Sequence, residues 1–183
     1  KGSSRYVSVN RLKKLLKYIP SSISTVALLV NPENDILEKL VNEVNIDFLQ
    51  LHGRESPDRV LEISKNTKKP IIKAMGIREK KDLKNVRNYE KIVDYILLDA
   101  KPEFKKSLPG GNGISFDWKI LKGFELKKPW FLAGGLNVDN VSDAISITGA
   151  NMVDVSSGVE VEPGSKSIEK ISSFVRRVNE HYK

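Results

Sequence analysis

The sequence contains no cysteine. That excludes disulfides, thiolate metal sites and a cysteine nucleophile from its 183 residues. No apolar run approaches the ~20 residues needed to cross a bilayer, and the N-terminus carries no secretory signal pattern. No Gly-x-Gly-x-x-Gly follows an early strand, so a dinucleotide-binding fold has no support. The expectation is a cytoplasmic globular protein without membrane contact. Hydrophobic residues make up 39% and charged residues 30%, an ordinary balance, and the length suffices for one well-packed domain. The net charge of +8 fits either an anionic partner, such as nucleic acid or a phosphorylated small molecule, or a solvated lysine-rich surface. The lysines are dispersed and lack interleaved aromatics, which favours the solvated surface and argues against nucleic acid.

What is present has a regular beat. Apolar, β-branched runs begin near Thr25, Phe48, Ile71, Val93, Trp130 and Met152, separated by 23, 23, 22, 37 and 22 residues. Runs that are nearly all apolar suit strands buried on both faces. Amphipathic helical segments lie between them. Ser8 precedes Leu12, Leu15, Leu16 and Ile19 at helical spacing, stopping at Pro20. Asn31-Pro32-Glu33 reads as an N-cap with proline at the first helical position, followed by Ile36, Leu37, Leu40, Val41 and Val44 on one face. Ser56-Pro57-Asp58 repeats that start signal. Strict alternation of strand and helix predicts a parallel α/β sheet, and the even step favours a (β/α)8 barrel. Six of eight strands can be counted. About one βαβ unit, roughly 30 residues or more, is therefore expected ahead of Lys1, since the strands from Thr25 and Met152 would otherwise be open edges. On this reading residues 1–183 are a single barrel domain that begins at the loop after the second barrel strand.

Two late strands break into glycine before a helix. They are Trp130-Phe131-Leu132-Ala133-Gly134-Gly135-Leu136 and Met152-Val153-Asp154-Val155-Ser156-Ser157-Gly158. Glycine admits close approach to backbone N–H groups, and a helix N-terminus attracts negative charge. Paired turns of this kind after the last two strands suit one phosphate held from two sides. Gly134, Gly135, Ser157 and Gly158 are the candidates; the alternative for each glycine is a tight turn without a ligand. The long interval from Lys101 to Ser115 contains Gly110, Gly111 and Gly113, which would let a loop fold over the ligand or simply lend it freedom.

Several motifs, in this order, resemble those of the phosphoribosylanthranilate isomerase family of tryptophan biosynthesis. They are Ser4-Arg5-Tyr6-Val7-Ser8, Val30-Asn31-Pro32, Leu49-Gln50-Leu51-His52-Gly53, Leu98-Asp99-Ala100-Lys101, Gly110-Gly111-Asn112-Gly113 with Phe116-Asp117-Trp118, Leu132-Ala133-Gly134-Gly135-Leu136, and Asp154-Val155-Ser156-Ser157-Gly158-Val159-Glu160 with Pro163-Gly164. The resemblance runs from Ser3 to the C-terminus. It implies a (β/α)8 barrel and an Amadori rearrangement of N-(5-phosphoribosyl)anthranilate to 1-(2-carboxyphenylamino)-1-deoxyribulose 5-phosphate. No cofactor and no metal are implied. The family's general base is a cysteine in a first strand ending Lys-Ile-Cys-Gly, which has no counterpart in this sequence. A phosphosugar-binding barrel lacking the base is thus the alternative. Oligomeric state is not readable.

Asp99 ends an apolar strand, where barrel enzymes place catalytic groups. The resemblance makes it the general acid, a carboxyl kept protonated by burial and nearby charge; capping the next loop or pairing with Lys101 is the alternative. The resemblance gives Arg5 the substrate's carboxylate, which a guanidinium fork suits. His52 ends another strand, either lining the mouth or serving structure. Asp154 faces the sugar hydroxyls or packs at the strand end. Lys73, inside an apolar strand, is compatible with Schiff-base chemistry, but a structural or barrel-interior place is preferred. Trp118 and Trp130 read as packing, and His181 as uninvolved.

Overall fold

The structure, a computed structural model, describes residues 3–101 and 115–183. Five parallel strands run in chain order across one sheet: β1 (Val26–Leu29), β2 (Phe48–Leu51), β3 (Ile71–Ile77), β4 (Tyr95–Ala100) and β5 (Trp130–Leu132). The sixth expected strand is reduced to one parallel bridge, Val153 to Leu132. It is fastened by Leu132 N–H to Met152 O at 2.9 Å and Asp154 N–H to Leu132 O at 2.8 Å. Among the described residues the sheet is an arc, with β1 at its edge and Val26 and Leu28 exposed.

Helices α1 (Val9–Leu16), α2 (Asn34–Glu43), α3 (Pro57–Thr67), α4 (Asp82–Val86), α5 (Val141–Thr148) and α6 (Ile168–His181) complete the alternation. Ser8 caps α1 by accepting from Arg11 N–H, and Ser56 caps α3 by accepting from Arg59 N–H, with Pro57 in the first turn. The expected cap at Asn31 does not form. α2 starts at Asn34, and Asn31 instead sits at φ 45° with its side-chain oxygen taking Arg54 N–H at 2.8 Å. That tertiary bond outweighs the local start signal. Between the sixth position and α6 lies a 3-10 turn (Ser157–Val159) and a small antiparallel hairpin, β6 (Glu160–Glu162) and β7 (Ser165–Lys166).

Side chains alternate across each strand. Leu49, Leu51, Ile71, Ile77, Ile96, Leu98 and Leu132 face the helices and form the main core with Leu37, Val60, Ile63, Val141 and Ile145. Truncating one of these leucines or isoleucines to alanine removes about 2–5 kcal/mol. The other face carries Ile72, Ala74, Leu97 and Ala133, packed with Phe48, Tyr95 and Phe131. Tyr95 touches both other rings at 5.8 Å between centroids. Residues further along the same face, Gln50 and His52 after Phe48 and Asp99 after Leu97, therefore stand above this aromatic floor at the C-terminal strand ends. At the opposite end, Asp47 accepts from Thr25 N–H at 2.7 Å and Asp94 accepts from Ile71 N–H at 2.8 Å. Each carboxylate secures the start of a neighbouring strand. The run from Val93 accordingly begins pairing only at Tyr95.

Candidate active site

β4 delivers Asp99 to the mouth, where it is 8% exposed. Its Oδ1 accepts the Ala100 N–H at 2.8 Å and its Oδ2 lies 3.1 Å from His52 Nε2. His52 follows β2 and is fixed by its own N–H on Leu29 O at 2.8 Å. Its Nδ1 is 3.1 Å from Gln50 Nε2. An amide nitrogen only donates, so Nδ1 accepts and the ring proton sits on Nε2, directed at Asp99. Both Asp99 oxygens thus receive donors.

Asp154 follows Val153 at the sixth strand position, near enough to Asp99, His52 and Lys166 to feel their charges. Burial pushes its carboxyl above the usual carboxylate range, and the negative charge of Asp99 adds to this; His52 and Lys166 act in the opposite sense.

Arg5 does not point at an empty space. Its Nε and Nη2 donate to the two oxygens of Glu160, at 2.8 Å and 2.6 Å. Lys166 Nζ lies 2.8 Å from Glu160 Oε1. Arg5 first, with Lys166 assisting, holds the Glu160 carboxyl down to about 2 despite burial acting the other way. Glu160 could not be read from the sequence as the partner of Arg5 because the ion pair joins residues 155 positions apart, and no local pattern announces such a contact.

The two glycine turns lie side by side. Gly134 and Gly135 have φ of 91° and 65°, conformations that glycine adopts without strain. A Cβ on Gly134 would come within 2.6 Å of Ala100 N, and one on Gly158 would overlap the carbonyl oxygen of Leu136. The glycines thus allow backbone to meet backbone, which sets the second turn directly against the first. Neither turn opens straight onto an α-helix, as the sequence had suggested. After the first, Asn137 accepts from Asp139 and Asn140 N–H before α5 starts at Val141; after the second comes the single 3-10 turn with Ser157. Gly110, Gly111 and Gly113 lie outside the described residues.

Lys73 is not in the barrel interior. It projects among the helix-facing residues, where Nζ meets Glu55 Oε2 at 3.0 Å. An amine with these partners, on the far side of the sheet from Asp99, is not placed for Schiff-base chemistry. Among the described residues no three His, Asp or Glu side chains gather in a metal-binding group. A groove lined by Lys13, Leu16, Pro20, Thr25 and Asp47 lies at the opposite end of β1 and β2 and takes no part in this cluster.

Residues 1–177 match the family model described as N-(5′-phosphoribosyl)anthranilate isomerase. A protein of that name from Paracoccus denitrificans is 43% identical over 175 residues, 96% of this chain and 81% of the relative. Another from Rhizobium rhizogenes is 43% identical over 178 residues, 97% and 80% of the two chains. Among solved structures, phosphoribosyl anthranilate isomerase from Thermotoga maritima superposes with a TM-score of 0.84 at 31% identity, covering 98% of this chain and 84% of the other. A second, with a TM-score of 0.83 at 29% identity and coverage of 98% and 83%, is such an enzyme in complex with reduced 1-(o-carboxyphenylamino)-1-deoxyribulose 5-phosphate. The arc of parallel strands is accordingly part of a (β/α)8-barrel fold. With the polar cluster at its C-terminal strand ends and this likeness along nearly its whole length, the chain belongs to the N-(5′-phosphoribosyl)anthranilate isomerase family.

Proposed function

We propose that Asp99 is the general acid of the family's isomerisation, working in contact with His52 and beside Asp154. The isomerase activity in tryptophan biosynthesis follows from the family itself, and none of the relatives' names speaks for a barrel that only binds. The observation that carries the residue assignment is the Asp99–His52 contact at 3.1 Å beside a carboxyl pushed up by burial. When the phosphoribosyl ring enters, a carboxylic proton passes from Asp99 to the furanose oxygen. The C1–O bond breaks as the anthranilate nitrogen's lone pair forms the C=N bond. Loss of the C2 proton to a base then gives the enolamine, which tautomerises to the ketone. Neutralising Asp99 leaves His52 Nε2–H in place, so the ring steadies the carboxyl in both protonation states.

In the same reading the phosphate ester of the substrate lies between the adjacent turns, on backbone amides at Gly134, Gly135, Ser157 and Gly158. The ligand named in the related complex carries such a phosphate. Arg5, braced by Glu160, receives the anthranilate carboxylate, and Asp154 adjoins the sugar hydroxyls. We place the activity in the cytoplasm, in keeping with the family's biosynthetic role. Asp99→Asn tests the assignment: it keeps the shape and an acceptor while removing the acid. Turnover should fall by about 10²–10⁴-fold, the usual worth of general acid catalysis, with the unfolding curve little changed. Near-normal turnover would overturn the assignment.

A further inference from the structure

The most deeply buried charges among the described residues belong to a pair that the mechanism above does not use. Lys73 and Glu55, 2% and 1% exposed at their side chains, meet on the helix-facing side of the sheet. A buried ion pair is a poor stabiliser, because desolvation offsets most of the attraction, and apolar replacement of both partners is often neutral. What distinguishes this pair is its list of backbone partners. Lys73 Nζ donates to Leu51 O at 3.1 Å, Gly53 O at 3.0 Å and Ala74 O at 3.0 Å. Glu55 accepts Gly53 N–H at 3.1 Å on each oxygen and Asn31 N–H at 2.7 Å. The residue between Leu51 and Gly53 is His52. Of the two peptide groups that flank it, one offers its carbonyl to Lys73 and the other its N–H to Glu55.

We propose that the Lys73–Glu55 pair is a positioning device for His52, gripping the chain on both sides of it so that the ring meets Asp99. The inference rests on the reading of Asp99 and His52 given above. The grip reaches three successive strand units at once. It holds Asn31, at φ 45°, after β1, Gly53 after β2 and Ala74 within β3. Gly53 itself has no room for a Cβ, which would collide with the side chains of Asn31 and Glu55. The phenol of Tyr89 donates to Glu55 O at 2.9 Å, and the Lys73 ammonium lies 5.7 Å from the centre of its ring. The backbone entering and leaving His52 is held from behind, while the imidazole on the other face makes its contacts with Gln50 and Asp99. Lys73 and Glu55 are positioning residues and touch no reacting atom.

The test uses Lys73→Met, which removes the grip on Leu51 O, and the charge-free double variant Lys73→Met with Glu55→Gln, which leaves no orphaned charge if the single variant folds poorly. Three readings are taken on the full chain: the unfolding transition, the ¹⁵N chemical shifts of His52 Nδ1 and Nε2, and kcat and KM measured separately. The expected result is a folded variant in which His52 loses its single Nε2–H tautomer. Its kcat should fall by about 10²-fold, as for a misplacement of ~1 Å, with KM within about twofold. A folded variant whose His52 shifts match the unsubstituted protein would overturn the proposal, whatever its rate. A loss expressed only in KM would also overturn it. His52→Asn separates the two readings. Full turnover there would remove His52 from the proposed chemistry, while the ¹⁵N shifts would still decide whether the ion pair positions the ring.

Discussion

Replacing Glu160 by glutamine should cost stability at neutral pH and cost less and less as the solution is acidified. The carboxyl has an ordinary value of 4.5 and is held at about 2 in the folded chain by the Arg5 fork, with Lys166 assisting. An interval of roughly 2.5 pH units corresponds to about 3.4 kcal/mol at 1.36 kcal/mol per unit, which is the ceiling. Arg5 and Lys166 are 28% and 41% exposed at their side chains, so water and salt screen part of the attraction and about 1–2 kcal/mol is expected. The sign follows from the direction of the displacement. A carboxyl lowered on folding contributes stability that is complete above its unfolded value, and the contribution is lost as pH falls from about 4.5 toward 2. Most of it should be gone by pH 3. Urea unfolding of both proteins at several pH values between 7 and 3 measures the difference directly. A gap of the same size at pH 7 and pH 3, or no gap at pH 7, would refute the argument.

Gly158→Ala should destabilise by about 1–3 kcal/mol, because the added methyl would overlap the Leu136 carbonyl oxygen; Gly123→Ala, at φ 72° with open space around it, should show only the backbone penalty of about 1 kcal/mol or a little more, and urea midpoints compare the two. If the substrate's phosphate lies between the turns, Gly158→Ala should also raise KM more than it lowers kcat, and steady-state kinetics would show the reverse pattern if the turn serves only the fold. Borohydride added with substrate should leave Lys73 unmodified by mass spectrometry, since its amine is engaged with Glu55 and three carbonyls.

The parts of this molecule that could be read from its sequence are those decided by neighbours along the chain. The cap at Ser56 and the proline after it act within four residues, and α3 begins where they indicate. The run from Phe48 and the run from Ile71 become strands at those residues, because an all-apolar stretch flanked by helices has few other places to go. Asn31-Pro32 carried the same cap signal and failed, since the Asn31 side chain is claimed by Arg54 from the next unit. The mouth was partly legible. Asp99 and His52 each end an apolar strand, so parallel pairing was bound to bring them to one rim. Their direct contact, and the tautomer imposed by Gln50, depend on side-chain directions that spacing does not specify. The upward push on Asp154's carboxyl depends on burial and on the nearby charge of Asp99. The Arg5–Glu160 pair and the grip of Lys73 on the peptides around His52 are likewise products of packing.

The aspartates at the strand beginnings have a consequence for how this protein can change. Asp47 and Asp94 clasp adjacent strands at the end away from the Asp99–His52 rim, so the register of β1 against β2, and of β3 against β4, is fastened at the opposite pole of the sheet. The rim can then exchange its polar groups, acquire a new substrate or lose its present one, without loosening the order of the strands beneath it. Folding information and chemical identity are written at opposite poles of the same short segments, and selection can revise one while the other stands.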